Sequence, residues 1–229
     1  MLHLTVRKAL PVLGCALLFF SVVGCMPRKI NRWVGQHYNE IPQKPSRNWD
    51  SAIVVTSALP DMSVPCQTER KSTYLLPLIF YWEFEHRNTC TLNPKPAIDN
   101  FTSTVLANIA SELNQKLKGN QLVLRIDQLP QVFVVNDRGH YADILIWWLR
   151  WDNYTVNTQL KDMVISYRLV NAANVILKKG TIIIPDKENI AELGSFKSLR
   201  KVTKQHLDEY DANITAMARK VAERLNSEL

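Results

Sequence analysis

Glu83 and Glu85 stand two residues apart at the end of the segment YLLPLIFYWEFEH, and His86 closes it. On a strand, positions i and i+2 share a face. The pair could then divide general-acid and general-base roles, as glycoside hydrolysis requires, provided their surroundings drive the two pKa values apart. The same spacing also describes the solvated face of an edge strand. His37, His86, His140 and His206 are scattered, with no HExxH and no converging Cys or Asp spacing, so no metal site is expected. No Ser occupies a GxSxG turn, and neither Cys66 nor Cys90 has an evident base beside it, so nucleophilic hydrolases lack their signature. The seven Gly build neither GxGxxG nor GxxxxGK[ST], which disfavours the common nucleotide-binding enzymes, and no cofactor is expected. The remaining chemistry is noncovalent. Tyr81 and Trp82 lie in the stretch 74–84, and Trp147, Trp148 and Trp151 in the stretch 142–151. Aromatic rings on strands stack sugars, line a lipid groove, form a partner surface or simply fill a core.

The elements that would position these residues follow from periodicity. Ala52–Ala58 is a β-branched run that predicts a strand, stopped by Leu59-Pro60-Asp61. Residues 60–73 read as a polar loop holding Cys66, and Tyr74–Phe84 as an apolar strand that Pro77 pushes toward an edge or a bulge. After the breakers of Thr91–Pro96, Asp99 is the expected N-cap of a helix on which Phe101, Val105, Ile109, Leu113 and Leu117 recur every four residues up to Gly119. Leu122–Ile126 and Val132–Val135 read as short strands, and Asn136-Asp137-Arg138-Gly139 as a turn. Ala142–Asp152 reads as one long strand with Ile144, Ile146 and Trp148 on one face and Leu145, Trp147, Leu149 and Trp151 on the other, both at least partly covered. Met163–Val170 and Val175–Ile184 form a hairpin about Asn171–Asn174. Residues 186–204 are polar and ambiguous, and Leu207, Tyr210, Ile214, Met217, Val221 and Leu225 then mark a final helix. The expected fold is α+β, a two-layer sandwich of one mostly antiparallel sheet packed by two amphipathic helices.

The N-terminal segment has Arg7 and Lys8 before an apolar run from Ala9 to Val23, which reads as a secretory signal. It ends in Val22-Val23-Gly24-Cys25, which resembles the lipobox of bacterial lipoproteins. The resemblance implies a diacylglyceryl group on the Cys25 thiol, cleavage after Gly24 and acylation of the new α-amino group; two or more chains give stable anchoring. Residues 1–24 are then the signal peptide, 25–50 a basic lipid-anchored linker broken by Pro27, Pro42 and Pro45, and 51–229 a single domain. Within the linker, Trp33-Val34-Gly35 reads as an anchor packed on the domain or a patch dipping into the membrane interface. Met26 after the Cys implies the outer membrane under the enteric sorting rule, with the domain periplasmic or surface-exposed.

Cleavage leaves 26 Lys and Arg against 21 acidic residues, a net +5, of which Arg28, Lys29, Arg32, Lys44 and Arg47 against Glu40 place +4 in residues 25–49. Such a segment favours anionic head groups, and nucleic acid is not an expected partner because the charge is off the domain. In an exported domain Cys66 and Cys90, 24 residues apart, form one bridge or remain two buried thiols.

The layout from residue 99 to 225, a helix, short strands, ADILIWWLRWDN, VISYRLVNAANVILKKG and a final amphipathic helix, resembles auxiliary lipoproteins of ABC-type transport and lipid-trafficking systems. That resemblance implies a lipid-anchored domain that binds a partner complex and does no chemistry. The expected function is therefore a non-enzymatic envelope lipoprotein that binds a protein partner. The alternatives are a lipid- or glycan-binding lipoprotein using strands 74–84 and 142–151, and a hydrolase using Glu83 or Glu85.

Overall fold

The computed structural model describes residues 25–40, 52–75, 80–109, 113, 115, 117, 119–144, 147–192 and 198–229. The signal peptide with its Val22-Val23-Gly24, and Lys44 and Arg47 of the expected linker, lie outside them.

The first correction is at the linker, where Cys25–Glu40 forms a 16-residue helix, α1. Pro27 does not prevent it, because first-turn N–H groups have no partner inside the helix and a proline there loses none. Ile30 and His37 are buried on one face, and Met26, Trp33, Val34 and Tyr38 pack partly against the core beside them. Trp33 and Val34 thus anchor α1 to the domain.

Two sheets follow. The first has the order β1 (Ile53–Ser57), β4 (Gln121–Gln128), β7 (Met163–Val170) and β8 (Ile176–Ile184), with β1 parallel to β4 and the rest antiparallel. The second is antiparallel throughout, in the order β2 (Val64–Leu75), β3 (Phe80–Thr91), β5 (Val132–Ile144), β6 (Trp147–Thr158) and β9 (Ile190–Glu192). Helix α2 spans Lys95–Asn108, and α3 spans Leu199–Glu228, capped by the Ser198 hydroxyl accepting from the Lys201 N–H. At 1.5 Å per residue, α3 is about 45 Å long. It packs on both sheets and both other helices, so a single core cluster draws on all of them. The α+β class holds. One sheet with two helices does not describe the molecule, which has two sheets and three helices among the described residues.

Other boundaries also move. The expected loop 60–73 is mostly β2, whose side chains from Val64 to Thr73 are nearly all exposed and so show no alternation of apolar and polar residues. Helix α2 begins after Pro94, four residues before the expected cap Asp99. Ile109 is extended, yet Leu113 and Leu117 are buried as their spacing predicts, and Gly119 adopts φ +82°. The expected turn 136–139 lies inside β5, where Gly139 is required by a neighbour: a Cβ there would lie 2.3 Å from the Phe84 ring. The expected long strand 142–152 is the end of β5 and the start of β6, with Ile144 opposite Trp147, so the assignment of its side chains to faces by simple alternation fails. Cys66 and Cys90 are joined by a disulfide between β2 and β3, with Cα atoms 4.2 Å apart, and Asn31 of α1 lies beside it.

The strands of the second sheet outrun their cover. Phe133, Val135, Tyr154 and Val156 are buried, with Tyr154 and Phe133 against Thr203 and His206 of α3. From Cys90 to Phe80 strand β3 continues for ten residues, about 33 Å.

Candidate functional site

At that far end, the register assigns the aromatic residues to faces. Residues directly opposite one another in an antiparallel pair share a face. Glu83 is opposite His140, and His140 opposite Trp151; Tyr81 is opposite Ala142, and Ala142 opposite Leu149. Tyr81, Glu83, Arg138, His140, Leu149 and Trp151 therefore belong to one face. Trp82 opposite Tyr141, and Phe84 opposite Gly139, belong to the other. Trp147 and Trp148 open β6, opposite Ile144 and Asp143.

On the first face a connected network forms. Arg138 Nε donates to Glu83 Oε1 at 2.5 Å, and a second guanidinium nitrogen reaches the same carboxylate. The Tyr81 hydroxyl lies 2.7 Å from His140 Nδ1 and 3.3 Å from Glu83 Oε2. The His140 ring stacks on Trp151, with centroids 5.2 Å apart and planes 11° apart. The hydrogen bond from Arg138 holds the Glu83 carboxyl below its usual range, while partial desolvation and then the Glu83 charge raise the Tyr81 phenol. On the opposite face Trp82 stacks on Tyr141 at 5.0 Å. Leu149 is 54% exposed, Trp151 47% and Trp82 37%, so the expected cover over these strands is absent at these positions.

This arrangement bears on the chemistry considered above. A general acid needs a carboxyl that keeps its proton near neutral pH. Glu83 is pushed the other way by Arg138. Trp82 and Trp151, on opposite faces, cannot line one pocket. Among the described residues no group of three or more His, Cys, Asp or Glu side chains is arranged to hold a metal ion, and no helix is long and apolar enough to cross a membrane. Arg138 and His140 complete the network, yet sequence reading placed Arg138 in a turn and His140 among scattered histidines. Only the β3–β5 register reveals that they meet Glu83.

The lipidation candidate Cys25 is the first residue of α1. The far end of that helix is locked to α3: His37 Nε2 lies 2.9 Å from Asp211 Oδ2, and the Tyr38 hydroxyl donates to Asp211 Oδ1 at 3.5 Å. Burial drives the Tyr38 phenol well up. Helix α2 joins the same knot, the Asn100 amide donating to the Asp211 carbonyl at 3.1 Å and to Thr215 Oγ1 at 3.0 Å. Between α1 and α3 a notch of about 20 Å³, room for one water, is lined by Trp33, Gln36, His37, Arg200 and Lys204. No protein-family model, curated protein or solved structure matches this chain.

Proposed function

We propose that this chain is a lipid-anchored protein of the bacterial cell envelope, held in the outer membrane through Cys25, that does no chemistry itself. It binds a protein partner of a transport or assembly complex at the uncovered end of its five-stranded sheet. The observation that carries this reading is the open surface of Tyr81, Arg138, Leu149 and Trp151, with Trp82 on the reverse face. Aromatic and Arg side chains are enriched where interfaces concentrate their binding energy. The Arg138–Glu83 pair and the His140–Trp151 stack hold Arg138 and Trp151 in place, which reduces the ordering cost of association. The alternative, a lipid- or glycan-binding lipoprotein, draws on the same Trp151 ring with Glu83 and Arg138 beside it.

The test is in vivo crosslinking of the tagged, anchored protein, followed by stringent purification from the envelope. A reproducible envelope protein, lost from the Trp151→Ala and Trp82→Ala variants, supports the reading. Recovery of a glycan or lipid in its place favours the alternative, and a partner retained by both variants overturns the assignment of the surface. Release of Cys25→Ala from the membrane fraction is expected; its persistence there contradicts the lipobox reading.

A further inference from the structure

Among the described residues, the start of the expected linker is not a free tether but the packed helix α1. Ile30, five residues after Cys25, is wholly buried, and Met26 already packs against the core. A lipid on Cys25 would therefore hold the domain directly at the bilayer, and the charges around the start of α1 decide which surface meets the head groups.

Those charges come from two elements. Arg28, Lys29 and Arg32 are exposed on α1, within two turns of Cys25. Helix α1 is laid against the first turns of α3, where Trp33, Gln36 and His37 share a notch with Arg200 and Lys204, and where Lys201 is also exposed. Neither residues 26–39 nor residues 198–207 contain an Asp or Glu. Arg28, Lys29, Arg32, Lys201 and Lys204 form no ion pair among the described residues. Of the nearest carboxylates along α3, Asp208 and Asp211 lie against His37, and Glu209 accepts from the Gln205 amide. Net charge placed most of the excess in the N-terminal segment; the fold adds three cations from residues 200–204, far away in sequence.

We infer that this composite face of α1 and the start of α3 is the surface on which the domain sits on an anionic bilayer, with Trp33 at its rim. The inference rests on the anchored reading and goes beyond it, because it fixes the orientation of the domain. Five like charges on one face that form no ion pair among the described residues gain from an anionic surface, and the gain is screened by salt. Trp is a side chain suited to the head-group level.

The lipidated full chain can be reconstituted into vesicles of phosphatidylcholine alone, or with about 30% phosphatidylglycerol, and treated with an amine-reactive reagent read by mass spectrometry. Lys178 and Lys179 on β8 provide the control. Lys178 Nζ donates to the Glu228 carbonyl at the far end of α3, about 40 Å along the helix from Lys201. Labelling of Lys29, Lys201 and Lys204 is expected to fall roughly fivefold in the anionic vesicles and to recover in about 0.5 M salt, with Lys178 and Lys179 unchanged. In an Arg28→Glu/Arg32→Glu/Lys204→Glu variant, Lys29 and Lys201 should label equally in both vesicles. Equal labelling of the unmodified chain in both vesicles, or protection of Lys178 and Lys179 instead, overturns the surface. Failure of the protein to stay with either vesicle sinks the anchored reading itself.

Discussion

Strands β5 and β6 each live in two environments. Near their α3 end Phe133, Val135, Tyr154 and Val156 are at most 1% exposed, while a few residues along β6 Leu149 and Trp151 are about half exposed. The two regions belong to the same hydrogen-bonded ladder. What differs is the face: alternation along β6 puts Tyr154 and Val156 on the side that α3 packs, which Tyr141, Phe84 and Trp82 continue, and Leu149 and Trp151 on the reverse side of the sheet. Apolar content in a strand therefore marks a surface that wants cover, and only the packing shows whether this chain supplies it.

Mutation separates the two regions. Phe133→Ala should cost about 3–5 kcal/mol in denaturant unfolding, since it removes a wholly buried ring and leaves a cavity. A cost near zero would mean that the covered end is not packed as described. The disulfide ties β2 to the covered end, and Cys66→Ser should lower stability by about 3 kcal/mol, with the same loss on reduction of the unmodified protein.

Proton linkage gives a third probe of the covered end. Burial lowers the His206 pKa to about 4 from an ordinary 6.5, and its Nδ1 has no partner there. The folded state thus holds the neutral ring, and below pH 6.5 the unfolded chain binds a proton that the folded protein resists. Stability is complete above about pH 6.5 and declines as pH falls toward about 4, by up to about 3 kcal/mol from this group. His206→Gln should flatten that part of the stability–pH curve; an unchanged slope would assign it elsewhere. The smallest effect belongs to the open end, where Trp151→Ala should change stability by less than about 1 kcal/mol while removing partner capture.

How much of this was legible in the sequence depends on whether an element carries its own pattern. The stripe from Leu207 to Leu225 and the hairpin about Asn171–Asn174 are local, and both stand in the structure, although α3 starts earlier, at Leu199. Strand β2 has no such pattern, because an exposed edge strand buries neither face. The α1 helix was hidden by Pro27, a breaker in mid-helix but harmless in the first turn. The Asn-Asp-Arg-Gly sequence at 136–139 has turn composition, yet Gly139 serves a long-range purpose, making room for Phe84. The aromatic residues of the site were visible as residue types. Their division between two faces, and the meeting of Glu83 with Arg138 and His140, depend on register, which no single segment encodes.

The partner is proposed to bind at the open end of the five-stranded sheet. Leu149 and Leu177 are 54% and 53% exposed, the first on that open end and the second on β8 of the other sheet, so exposure alone cannot distinguish them. A photo-crosslinking residue placed at each position in turn, in the anchored protein in living cells, tests the claim directly. A discrete adduct with one envelope protein from position 149 and none from position 177 is the predicted result. Equal adducts from both positions, or an adduct from position 177 alone, would contradict it.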